Sequence, residues 1–215
     1  EFVVKSERIT GVENIQGNVV EIPINSIKSL PVLLGERDIL KAIQLFPGVQ
    51  SGSEGTAGIY VRGGGPDQNL ILLDGVPVYN ADHLFGFFSI FNPDALSHVT
   101  LVKGGFPARY GGRLSSVLDI RMKEGNNKEY HGEASVGIIS SKLTFEGPLI
   151  KDKSSFIVSA RRTYIDALSR PLMRIADGNS VAGYYFYDFN TKFNYILSNK
   201  DRLFLSVYTG KDRFY

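Results

Sequence analysis

The chain has 215 residues, 24 lysines and arginines against 22 acidic residues for a net charge of +2, and 43% hydrophobic residues. That balance excludes a disordered chain and a nucleic-acid binder working through a basic surface. The composition includes 23 Gly, 14 Phe and 11 Tyr but no Cys and no Trp, which excludes disulfide scaffolds, thiolate metal sites and cysteine nucleophiles and favours turns and strands.

At the start, Phe2, Val3 and Val4 form a short β-like run, with no basic segment followed by an apolar one, so no export signal is expected there. A second β-like run covers 19–24. Ile39, Leu40, Ile43, Leu45 and Phe46 recur at helical spacing before Pro47-Gly48, which predicts a helix over 36–46 whose polar face is Glu36, Arg37, Lys41 and Gln44. A flexible loop at 51–58 leads to a strand at 59–62. The segment 69–79 reads as a hairpin turning on Asp74-Gly75. A short capped helix is expected at 92–96 and strands at 99–103 and 117–121. Strands mixed with two short helices define a small α+β domain. No run reaches the length of a membrane-spanning helix; the longest apolar stretch, 84–91, is broken by Gly86 and Ser89.

After Gly125 the pattern switches to a period of two. Five strands are expected near 131–139, 141–147, 154–163, 184–198 and 202–209. In the fourth, Tyr185, Tyr187, Phe189, Phe193, Tyr195 and Leu197 share one face, with Thr191 the only gap, and Asp188, Asn190, Lys192 and Asn194 share the other. Long strands with one apolar and one polar face are the signature of a transmembrane β-barrel, and equally of a soluble antiparallel sheet lying on a core. The crowding of aromatics at 184–189 resembles an interfacial girdle.

The glycine runs do not open a helix and lack Gly-Lys-Ser/Thr, so no phosphate loop is expected. His83, His98 and His131 have no ligand-like spacing and read as loop or surface histidines. Asp74 reads as a turn former and Asp119 as a single carboxylate. No catalytic pair or triad is visible, and no metal or cofactor is expected. Arg62, Arg109 and Arg113 sit beside glycines; enclosed by another structure, they would meet carboxylates on its wall.

Three stretches, in this order, resemble the plug domain of TonB-dependent outer-membrane receptors of the Bacteroidetes type. They are Ala42-Ile43-Gln44-Leu45-Phe46-Pro47-Gly48-Val49, then Tyr60-Val61-Arg62-Gly63-Gly64 with 69–79, and Val102 to Arg113 with its Gly104-Gly105 and Gly111-Gly112 pairs. The resemblance implies an α+β plug (11–125) behind a TonB-box-like or linker segment (1–10), followed by the first antiparallel strands of a transmembrane barrel (126–215). A plugged barrel of 22 strands needs more than about 300 residues, so the chain is expected to be an N-terminal piece of such a receptor.

By the same resemblance, Phe2, Val3, Val4 and Lys5 would contact a TonB-type inner-membrane energy transducer. Arg62, Arg109 and Arg113 would form plug–barrel ion pairs. Asp82, His83, Phe85, Phe87 and Phe88 would contact substrate, although packing of plug against barrel accounts better for the aromatic run 85–91. The implied partners are that transducer, the remainder of the barrel, outer-membrane lipid and a nutrient too large for porins, with no nucleic acid. The implied location is the bacterial outer membrane with a periplasmic N-terminus, an extracellular loop at 164–183 and periplasmic turns at 148–153 and 199–201. The other reading is a non-transporting soluble or surface interaction module.

Overall fold

The computed structural model describes residues 18–29, 36–52, 55–168 and 183–215. In chain order, the first part contains β1 (Val19–Pro23), α1 (Ile24–Ser29), α2 (Ile39–Ile43), β2 (Val49–Ser51), β3 (Ile59–Val61), β4 (Asn69–Leu73), β5 (Val76–Pro77), β6 (Asp82–His83), β7 (Phe88–Ser89), β8 (Leu96–Val102) and β9 (Ser116–Met122). The second contains β10 (His131–Val136), β11 (Ser140–Ile150), β12 (Ser154–Thr163), β13 (Tyr184–Ile196) and β14 (Arg202–Phe214). No helix among the described residues is long and apolar enough to cross a membrane.

The first part is built on a mixed sheet of order β1-β8-β9-β4-β5. Its central strands are aliphatic at alternate positions, so Val99, Leu101, Leu118 and Ile120 are buried against Ile39, Ile43, Ile59, Val61 and Phe91. β4 and β9 run parallel while the other neighbours are antiparallel. The predicted strand over 19–24 ends at Pro23, and the chain enters α1, where Ile24 and Ile27, three residues apart, both reach the core. Two apolar residues are too short a period to announce a helix in sequence.

The predicted helix 36–46 contracts to α2. Asp38 ends it on the N-terminal side, its carboxylate accepting from the Leu40 and Lys41 N–H groups at 2.8 and 3.2 Å. Beyond its C-terminal end, Gln44 donates to the Thr56 and Gly58 carbonyls, both at 2.8 Å, and so ties down residues 56–58 of the loop predicted as flexible. The helix expected at 92–96 is a single 3₁₀ turn, Pro93–Ala95, capped by Asn92.

β10 to β14 form a second sheet, an antiparallel meander in sequence order. We call it the wall. Its polarity separates the two readings left open by the periodicity. Lys142, Thr144, Ser159, Arg161, Thr163, Asp188, Asn190, Lys192 and Asn194 point toward the α+β unit and are buried, whereas Leu143, Phe145, Phe189, Phe193, Tyr195, Leu203 and Leu205 point away and are exposed, Leu203 at 62%. A soluble sheet would have the opposite arrangement. A wall that turns polar residues inward and apolar ones outward is organised for lipid.

Candidate functional site

The site is the interface between the α+β unit and the polar face of the wall. Its upper part is a buried ionic network. Arg161 on β12 faces Asp188 on β13 in direct register, and its Nε and Nη2 donate to Asp188 Oδ2 at 2.8 and 2.5 Å. Nη2 also donates to the Ser89 carbonyl at 2.7 Å, so one guanidinium holds both the wall and β7. Glu36, just before the Asp38 cap, reaches Lys142 Nζ at 2.9 Å and Arg161 Nη1 at 3.6 Å, and accepts from the Ser140 hydroxyl.

His83 on β6 completes this network. Its Nε2 lies 2.7 Å from Asp188 Oδ1 and its Nδ1 2.5 Å from Asp212 Oδ1, and its ring stacks on Phe186 at 4.1 Å and 11°. Carboxylate oxygens thus face both ring nitrogens. Tyr208 and Tyr184 donate to Asp188 Oδ1 and Asp212 Oδ1 at 2.8 and 3.2 Å. Phe88, Ile139, Tyr184 and Phe186 pack beside it as a small apolar cluster. Gly210, opposite Asp188 in the β13–β14 register, leaves the space these groups need: a Cβ there would lie 2.9 Å from the Asp188 carboxylate and closer still to the Tyr208 hydroxyl.

The lower part centres on Asp74, in the turn after β4 with a left-handed φ of 49°. Its Oδ1 accepts from the Met122 N–H at 3.0 Å, the local capping expected of a turn former, and also from Lys192 Nζ at 3.1 Å. Its Oδ2 accepts from Ser206 at 2.5 Å. Asn92 donates to Ser159 at 2.7 Å between the two clusters, and Glu124 accepts from Asn194 at 3.1 Å below them. Buried charges in both clusters are paired with opposite charges, the condition under which they are tolerated away from water.

The residues expected to contact substrate divide in two. His83 and Phe88 are buried, and His83 is therefore a wall contact rather than a loop histidine. Phe85 is 87% exposed, tilted against Phe214 at 5.4 Å, and Phe87 is exposed with the Lys41 ammonium 4.7 Å from its ring centre. Leu84, Phe85 and Gly86 all have positive φ (50°, 53° and 90°), a strained run that projects Phe85 outward. Asp82 is half-buried, and burial, aided by the Asp212 and Asp38 charges, raises its pKa despite the Gly86 N–H and His83. Burial lowers that of Lys41.

Of the three arginines expected to pair with the wall, Arg62 donates to Asn18 at 2.5 Å, Arg109 to the Tyr110 hydroxyl at 3.1 Å and Arg113 to the Gly112 carbonyl at 3.0 Å. Among the described residues none forms an ion pair with β10–β14. Phe2, Val3, Val4 and Lys5 lie outside the described residues. Of the charges that do join unit and wall, Glu36, Asp74, Lys142, Arg161, Asp188, Lys192 and Asp212, the sequence singles out Asp74 alone, and only as a turn former. The available signal was a charge at inward positions of four successive long strands.

A small α+β unit clamped to the polar face of an outward-apolar strand wall defines a plugged outer-membrane receptor. Residues 12–116 match the family model of the TonB-dependent Receptor Plug Domain. The chain is 32% identical over 139 residues to the Ferrienterobactin receptor of Escherichia coli (strain K12), a match covering 56% of this chain and 18% of that receptor. Its fold is similar to the siderophore receptor PirA from Acinetobacter baumannii, with a TM-score of 0.64 at 23% identity over 92% of this chain and 32% of that one. It is also similar to P. aeruginosa FpvA, solved with heterologous pyoverdines, with a TM-score of 0.63 at 15% identity over 90% of this chain and 25% of that one. Residues 12–116 therefore belong to the TonB-dependent receptor plug-domain family, and the chain joins that plug to the first strands of a receptor's barrel. The chain spans about a fifth of the curated relative and a third or less of these two solved receptors.

Proposed function

We propose that the receptor containing this chain is an energy-coupled importer of a scarce nutrient too large for porins, with a siderophore-type metal chelate as the substrate class, and that the plug gates its passage. The observation that carries the reading is the plug–wall interface: a gate must be held firmly yet be separable, and charged and hydrogen-bonded pairs can be exchanged for water where an apolar core cannot. The names of its relatives, a ferrienterobactin receptor and a pyoverdine-bound receptor, support the substrate class. The inverted polarity of the wall disfavours a soluble interaction module, and the relatives are receptors rather than enzymes.

In this reading the chain divides into a transducer-gripped segment (1–10), a plug (11–125) and barrel strands (126–215). Phe2 to Lys5 are gripped by a TonB-type protein from a periplasmic N-terminus. The long excursion at 164–183 faces outward, and the short connections at 151–153 and 197–201 face the periplasm, as in bacterial barrels. The end of the plug next to Tyr184 and Phe214 is then extracellular, and Asp82, Phe85 and Phe87 are the side chains offered to substrate there. Arg62, Arg109 and Arg113 are left to meet carboxylates of further barrel strands.

The test is uptake of a radiolabelled ferric siderophore by cells expressing the intact receptor, with and without residues 1–8. Uptake lost on deletion, with surface binding of the chelate retained, is the expected result. Undiminished uptake overturns the assignment of the gripped segment, and absence of both binding and uptake across a panel of chelates overturns the substrate class.

A further inference from the structure

On the outward face of the wall, three neighbouring strands change character at one height. β12 presents Phe156, Val158 and Ala160 and then Arg162; β14 presents Leu203, Leu205 and Val207 and then Lys211 and Arg213. The register aligns them: Arg162 pairs with Tyr187, Tyr187 with Lys211, and Tyr185 with Arg213. From Tyr195 to Tyr187 the outward face of β13 runs about 27 Å along the strand, or about 20 Å of membrane depth at barrel tilt, close to the apolar band of such barrels. The cations begin where that band ends, among the tyrosines typical of a membrane boundary.

The two arginines frame a cleft of about 410 Å³ lined by Arg162, Asp166, Tyr185, Arg213 and Tyr215. The Arg162 guanidinium lies over the Tyr185 ring at 5.1 Å, and Arg213 Nη1 is 3.4 Å from the Tyr185 hydroxyl, so one side chain holds one head on its ring face and the other at its hydroxyl. The carboxylate in the lining, Asp166, accepts from the Tyr215 hydroxyl at 3.0 Å. Among the described residues neither arginine forms an ion pair.

We propose that this cleft binds the phosphate of an anionic lipid headgroup in the outer leaflet. Two guanidinium forks provide paired donors suited to phosphate oxygens. A cationic cluster at the end of a lipid-facing band meets headgroups, and the adjoining apolar rows supply the surface along which the same lipid's chains lie. The assignment to the outer leaflet rests on the barrel orientation proposed above.

The experiment uses the intact receptor in detergent, with binding of a phosphorylated lipid A-type glycolipid and its dephosphorylated counterpart followed by native mass spectrometry. The expected result is preferential binding of the phosphorylated form, weakened about thirty-fold in R162Q/R213Q, with partial recovery in R162K/R213K and unchanged heat-modifiable migration in all variants. Equal binding by the wild type and R162Q/R213Q overturns the proposal, as does complete competition by inorganic phosphate, which would mark a free-anion site. Orientation is read separately from a Lys200→Cys variant. An impermeant maleimide that labels it only after permeabilisation supports the orientation, whereas labelling in intact cells overturns the leaflet assignment whatever the glycolipid result.

Discussion

Arg161 and Asp188 face each other across neighbouring strands of the wall, and each also grips the plug, Arg161 through the Ser89 carbonyl and Asp188 through His83. The pair therefore belongs to the barrel by covalent position and to the interface by its remaining bonds. Replacing Arg161 with Ala leaves Asp188 and Glu36 buried without their shared counter-charge. The expected cost is about 3–5 kcal/mol, read as a loss of thermal stability of the intact receptor. In a double-mutant cycle with Asp188→Asn, the two losses should fall short of additivity by about 1–3 kcal/mol.

The lower cluster should be separable from the upper one. Asp74→Ala leaves Lys192 buried and unpaired and removes the acceptor for the Met122 N–H, so the plug should become more susceptible to limited proteolysis. Asp74→Asn, which keeps an acceptor for Met122, should be milder. Lys192→Met in the Asp74→Ala background should recover part of the protection, because it removes the stranded charge.

Gly210→Ala tests the space beside Asp188. A Cβ at this position collides with the Tyr208 hydroxyl and presses on the Asp188 carboxylate. A destabilisation of about 1–3 kcal/mol is expected from overpacking, and Tyr208→Phe in the same chain should recover part of it by removing the colliding oxygen.

Asp82 gives a pH dependence of defined sign. Burial raises its pKa in the folded state, so the folded chain holds its proton over a range where the unfolded chain has lost it. Stability from this group is greatest below the unfolded value of about 3.9 and falls as pH rises from there through the raised folded value. The difference between wild type and Asp82→Asn isolates the effect from that of every other titrating group. Asn should gain on the wild type as pH rises through that window and hold a constant advantage above it, measured as melting temperature against pH.

Much of the fold was legible because it rests on local period. The strand predicted at 154–163 has those bounds, and the polar row Asp188, Asn190, Lys192 and Asn194 was visible as one face of β13. What lay opposite that row was not. His83 looked like a loop histidine because its partners are 105 and 129 residues away, and Asp74 looked like a simple turn former because Lys192 is 118 residues away. Helical spacing puts Glu36 on a solvent face, but the Asp38 cap starts α2 after it and frees its side chain for the wall. The alternation ends the last strand at 209, where its outward side turns from aliphatic to charged, but the ladder of β14 continues to Phe214. Single-sequence periodicity reports which side chains share a face, and the identity of the facing surface depends on pairings over a hundred residues apart.

The inward polarity of the wall also bears on what remains when the plug is displaced. Lys142, Thr144, Ser159, Asn190 and Asn194 would then border a lumen already suited to solvent, since each carries donors or acceptors that water can satisfy in place of the plug. Opening would not strip a hydrophobic surface bare, and the vacated passage would wet rather than collapse.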